Sequence, residues 1–111
     1  MPNDQVYGFN AEAKVSEPMP GVMRRSLVWG DNMHLVEFHV PKGSGVPVHN
    51  HMHDQVGYVV SGRLEFSIGD AMRELGPGDA YLVPSNVVHS SRALEDVVVI
   101  DVFSPVREDY K

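Results

Sequence analysis

The chain has 111 residues, room for one domain and one core, and its 42% hydrophobic content is ordinary for a globular protein. A formal charge of −6 argues against nucleic acid as a partner, because phosphate-backbone binding is driven by clustered Lys and Arg. Cysteine is absent, which excludes disulfide staples, thiolate metal ligands and a thiol nucleophile together, and is compatible with a cytoplasmic location.

Residues 1–20 are polar and Pro-bearing, carry Asp4, Glu12, Lys14 and Glu17, and read as an N-terminal arm without a secretory signal. Residues 21–111 read as the folded domain. Short β-rich segments recur there at 22–29, 33–40, 46–51, 55–60, 63–68, 71–75, 80–83, 87–92 and 97–103. Turn signals punctuate them, among them Gly30-Asp31-Asn32, Ser61-Gly62, Gly69-Asp70, Gly76-Pro77-Gly78-Asp79 and Pro84-Ser85-Asn86. Eight or nine short strands at regular spacing predict an antiparallel sandwich or barrel rather than βαβ units. One turn of helix is expected after Pro105. The longest aliphatic run, residues 97–100, is too short to cross a bilayer, so no membrane partner is expected. That run is apolar on both faces, although a surface strand should alternate. An outer sheet or a second subunit must cover its far side. A homodimer is therefore expected, with the N-terminal arm as a candidate for exchange.

The informative stretch is His49-Asn50-His51-Met52-His53-Asp54-Gln55. Side chains two apart on a strand share a face, so His49 and His51 are expected to offer two nitrogens to one ion. Gln55 follows after a short bend as a third candidate ligand. A chance pair of strand histidines, and a Gln55 bonded only to strand backbone, are the plainer alternatives. His53 reads as an exposed loop residue, and His34 and His39 lack a partner pattern. Trp29, Phe38, Met52, Tyr58 and Met72 are candidates for the cavity wall, with core packing the expected role of each.

Gly43 precedes His49 by six positions and Gly62 follows Gln55; later, Gly78 runs through Pro84 and Asn86 to His89. This order resembles the two cupin signatures, a Gly, five residues, His-x-His, an acid or amide and a Gly, then a Gly, five residues, Pro and a downstream His. The resemblance implies an all-β double-stranded β-helix, the jelly-roll barrel, and His49, His51, Gln55 and His89 around one divalent metal: nickel, zinc, manganese, iron or cobalt. Two positions depart from the signatures. Asn86 stands where Gly is usual, a mild change because Asn tolerates a left-handed turn. Gln55 stands where Glu is common, which leaves the charge of a divalent ion uncompensated and favours an anionic or hydroxyl-rich ligand.

The last strand adds Asp101 and Phe103 on one face, then Arg107 beyond Ser104-Pro105. An acid within so apolar a strand needs a partner, because an unpaired buried carboxylate is costly. An Asp101–Arg107 ion pair closing the barrel is one reading; a proton-transfer carboxylate with Arg107 gripping a substrate carboxylate is the other. Asp-Val-Phe-Ser-Pro-Val-Arg-Glu-Asp-Tyr at 101–110, together with His-x-His-x-x-x-Gln, resembles the KdgF-type cupins of pectin and alginate breakdown. That resemblance implies conversion of 4,5-unsaturated monouronates to linear 5-keto-4-deoxyuronates, with Asp101, Phe103 and Arg107 as further active-site residues. A non-catalytic sensor holding a small acid in the same cavity, or an oxygen-dependent dioxygenase, are the alternatives on this fold.

Overall fold

In the computed structural model, which describes residues 6–111, two antiparallel sheets face one another. The strands are β1 (Lys14–Met19), β2 (Val22–Trp29), β3 (His34–Val40), β4 (Gly45–His49), β5 (Asp54–Ser61), β6 (Leu64–Ile68), β7 (Ala71–Leu75), β8 (Ala80–Val83), β9 (His89–Ala93) and β10 (Val97–Ser104). The larger sheet runs in the order β1-β2-β3-β10-β5-β8 and the smaller in the order β4-β9-β6-β7. This is the jelly-roll arrangement expected from the strand spacing and the two signatures. Single turns of 3-10 helix, Asn10–Glu12 and Glu108–Tyr110, flank it, the second falling where a turn of helix is predicted. Among the described residues no helix is long and apolar enough to cross a membrane.

Alternation sets the inner face. On β10 Val97, Val99, Asp101 and Phe103 are buried in turn, and on β5 Gln55, Gly57 and Val59. Val97 and Val99 join Val22, Val40, Val59, Leu64, Phe66 and Val83 in one apolar cluster. Asp101 and Phe103, further along the same strand, line a cavity with the histidines. One strand therefore carries both core and site, and the apolar cluster anchors the wall that holds the polar groups.

Part of the arm belongs to the sheet. β1 pairs antiparallel with β2 of the same chain, from Lys14 opposite Ser26 to Met19 opposite Val22. It is an edge strand, exposed along most of its length, so it carries no apolar alternation that would reveal it. Pro18 is tolerated there because an edge strand can spare a ladder donor. Pro47 occupies the other kind of edge, on β4, where the ladder with β9 shifts between Val46 and His49. β4 ends at His49, so His51 lies in the following bend and not on the strand.

Candidate metal centre

His49 closes β4 and stands opposite His89, the first residue of β9. The bend after β4 returns His51 to the same place, and Gln55 enters from β5, opposite Phe103 of β10. The ring centroids of His49 and His89 are 4.1 Å apart, and those of His51 and His89 4.8 Å. His49, His51 and His89 together form a group that could hold a metal ion, their ligand atoms all within 4.8 Å of one another. Asn86, three residues before His89, has φ +65°, the left-handed turn that Gly usually supplies.

Backbone carbonyls orient all three rings. Nδ1–H of His49 donates to the Pro47 carbonyl at 2.8 Å, that of His51 to His53 at 3.0 Å, and that of His89 to Val87 at 2.9 Å. Each donation assigns the tautomer and leaves the Nε2 lone pair as the remaining ligand atom. The Gln55 amide is oriented from behind, because its side chain hydrogen-bonds Asp101 and only its N–H can donate to a carboxylate. Its Oε1 then faces His51 Nε2 at 3.1 Å. Two acceptors so oriented have no proton to share, and a cation between them resolves the contact. Neutral nitrogens and an amide oxygen suit a borderline divalent transition metal.

Asp101 is buried and accepts from Tyr81 Oη–H at 2.6 Å as well as from Gln55. Burial pushes its carboxyl up from 3.8 to about 6, although both hydrogen bonds pull the other way. Tyr81 reaches it through a gap. Gly57 on β5 lies between Tyr81 of β8 and Asp101 of β10 in register, and a Cβ on Gly57 would stand 2.0 Å from Tyr81 Cζ. The Tyr81 ring stacks on Phe66 at 4.0 Å and 20°, and the His89 ring lies nearly parallel to Phe66 on a 6.2 Å separation. Tyr81 is a site residue that the sequence does not announce, since its place depends on a glycine on the neighbouring strand.

Phe103 is buried, with its ring edge-on to His51 at 5.8 Å and to Tyr110 at 5.5 Å. The Asp101–Arg107 pair is not formed. Arg107 Nε and Nη2 donate to the two carboxylate oxygens of Asp109 at 3.2 and 3.0 Å, a local pairing within the tail. His53 is half-buried rather than an exposed loop residue, packed edge-on against His51 and Phe103. His34 is buried against the Ser26 hydroxyl, and His39 bonds Glu37. Of the five apolar wall candidates Phe38 lines the cavity. Met52, Tyr58 and Met72 are 60%, 51% and 54% exposed, so for these three the expected core role does not hold.

Burial holds His34, His51, His53 and His89 below their ordinary value of 6.5. The unfolded chain therefore takes up protons first, and stability present above about 6.5 is lost as pH falls through the lowered values. Asp101 acts in the opposite sense, its raised value favouring the folded state below about 6, but it is one group against four. The metal-free protein should melt at a lower temperature at pH 5 than at pH 7.5. Metal retention should fall in the same direction, because protons compete for the same nitrogens. Melting curves and dialysis equilibria across that range check both, and metal fully retained at pH 4.5 would contradict a histidine shell.

Comparison with known proteins agrees with this geometry. Residues 36–103 match the cupin domain family. The chain is 37% identical over 106 residues to the pectin degradation protein KdgF of Dickeya dadantii, covering 94% of this chain and 96% of that protein. The structure of KdgF from a Halomonas species superposes with a TM-score of 0.88 at 36% identity, covering 95% of this chain and 97% of that one. An RmlC-like cupin from Shewanella frigidimarina superposes over the full length of both chains at 0.93 and 30% identity. The chain belongs to the cupin family and, within it, to the KdgF-type proteins.

Proposed function

We propose that this protein is a metal-dependent enzyme that opens 4,5-unsaturated monouronates to linear 5-keto-4-deoxyuronates. The observation that carries the reading is a buried carboxyl with a pKa of about 6, Asp101, on the wall of the cavity that holds the three histidines. Similarity to proteins named for pectin degradation supports the substrate class. The cavity, about 110 Å³, is below the roughly 300–1,000 Å³ of sites that take drug-sized ligands, which restricts it to small ligands.

In this reading Gln55 is the fourth ligand beside His49, His51 and His89. A divalent cation held there supplies Lewis acidity toward hydroxyl and carbonyl oxygens. Asp101 accepts the proton of the hemiacetal hydroxyl as the ring C–O bond breaks toward the enol oxygen. The same proton returns to the enol carbon as that oxygen becomes the keto group, so the reaction is a net isomerisation. A carboxyl near pH 6 suits both halves of this transfer, being matched to neutral solution. Phe103 packs against the sugar, and Arg107 orients its carboxylate. The test is the ultraviolet absorbance of freshly lyase-released unsaturated uronate. Its decay should accelerate with metal-loaded protein and stay at the uncatalysed rate with the His51→Ala variant. Stoichiometric metal without acceleration would move the assignment to a sensor of small acids.

The same proposal includes a cytoplasmic homodimer. Val56, Tyr58 and Val60 of β5 and Leu82 of β8 are all about half exposed on the outer face of the larger sheet. Val98, Ile100 and Val102 of β10 adjoin them, so these outward positions of β5, β8 and β10 carry no charge, and Glu37 of β3 borders the patch opposite Ile100. Two copies facing each other there meet no like-charge repulsion and gain apolar burial. Sedimentation should give a dimer for the parent and a monomer for Tyr58→Lys; a monomeric parent at tens of micromolar would refute it.

A further inference from the structure

β2 carries an arginine into the cavity. Val22 and Ser26 of this strand are buried, and Arg24 between them is opposite Phe38 in register and lines the cavity with the histidines and Asp101. Arg24 Nε is buried without a hydrogen-bond partner, and among the described residues no carboxylate forms an ion pair with its guanidinium. Its Cζ lies 3.9 Å from the centroid of the Tyr110 ring, and Arg107 Cζ lies at the same distance from that ring. One aromatic ring thus holds two guanidiniums, which are restrained but not neutralised by it.

The two cations differ in what they have left to give. Asp109 takes two of the donors of Arg107 and much of its charge. Asp101 is committed to Tyr81 and Gln55. Arg24 keeps its fork of donors beside an apolar wall and feels the Asp109 carboxylate only at a distance, as a charge it shares with Arg107, an arrangement that a carboxylate ligand would complete. We infer that Arg24 is the residue that selects for the carboxylate of the substrate, with Arg107, already paired, as the lesser contributor. A planar guanidinium is suited to a carboxylate because its parallel N–H groups match the two oxygens. This deepens the reading given under the proposed function and rests on it for the sugar, but not for the carboxylate.

The experiment is calorimetric titration of the metal-loaded protein with D-galacturonate, a saturated and unreactive monouronate, and with D-galactose, its uncharged counterpart. Arg24→Gln should weaken galacturonate binding at least about tenfold and leave galactose unchanged. Arg24→Lys, which keeps the charge but not the fork, should recover part of that loss and so serves if the Gln variant folds poorly. Arg25→Gln makes the same charge change one residue away on the outer face, opposite Glu37, and should bind as the parent does. In turnover, Arg24→Gln should raise KM far more than it lowers kcat. Galacturonate affinity equal in Arg24→Gln and parent overturns the inference and leaves the uronate reading standing. A parent that binds no uronate overturns that reading instead; titration with acetate and pyruvate then decides Arg24. Dependence on Arg24 for those acids sustains the inference, and no carboxylate binding at all overturns it as well.

Discussion

An Asp101→Asn variant should lose about a hundredfold or more in turnover while keeping its fold and its metal, the scale expected when a positioned acid–base group is removed. Asn has the same shape, and with its Oδ1 accepting from the Gln55 N–H and its Nδ2–H donating to Tyr81 Oη, the wall between β8 and β10 need not repack and the Gln55 oxygen still faces His51. What it cannot do is exchange a proton with the substrate. The measurement is kcat alongside bound metal and galacturonate affinity. Lost turnover with metal and affinity intact identifies Asp101 as the proton carrier. Metal lost in parallel with turnover would show that the loss acts through the hold of Asp101 on the Gln55 amide, and would leave its part in proton transfer without support. Unchanged turnover would sink the enzymatic mechanism outright. Tyr81→Phe sharpens the comparison, since it keeps the ring on Phe66 and removes one donor to Asp101. Its effect on kcat should vanish in the Asp101→Asn background, because the two residues act through one group.

The three clustered histidines are readable because their signal is local. His-x-His with a nearby amide, and a left-handed Asn86 three residues ahead of His89, are short patterns whose spacing constrains geometry directly. Tyr58, expected in the cavity wall or the core, is outward for a reason the same signal contains. With Gln55 turned inward, parity sends Val56, Tyr58 and Val60 outward, which is where they are. Three features are hidden for physical reasons. β1 is polar because an edge strand buries little. Tyr81 acts across three strands through a space that only Gly57 leaves, and cross-strand register is not written in any one segment. Arg107 finds a carboxylate two residues away, so the more distant pairing with Asp101 loses to a shorter loop closure.

Gln55→Glu should destabilise this site rather than improve it, even though cupin signatures commonly carry Glu at this position. In the parent the amide does two jobs: Oε1 faces His51 at 3.1 Å, and the N–H donates to Asp101. A carboxylate can do only the first. Its second oxygen would face the Asp101 carboxylate with no proton between them, and one of the two must then stay protonated. Asp101 is already raised to about 6 by burial, so a second negative charge raises it further. At pH 7 it would be held in the protonated form and unable to accept a proton, so turnover should fall at least about tenfold and recover partly as pH is raised. Folded stability of the metal-free protein at pH 7 should fall by about 1–3 kcal/mol, the cost of holding a carboxyl protonated above the pH at which it ionises in the unfolded chain. Adding Asp101→Asn to Gln55→Glu should reverse the stability loss. The amide then sits on β10 and the carboxylate on β5, so the hydrogen bond re-forms in the opposite sense, but the exchange cannot return activity. A Gln55→Glu variant as stable and as active as the parent would show that the amide N–H carries no such role. The departure from the signature at Gln55 and the acid at Asp101 are therefore two halves of one arrangement, in which a neutral amide is what permits a carboxyl with a pKa near neutrality beside it.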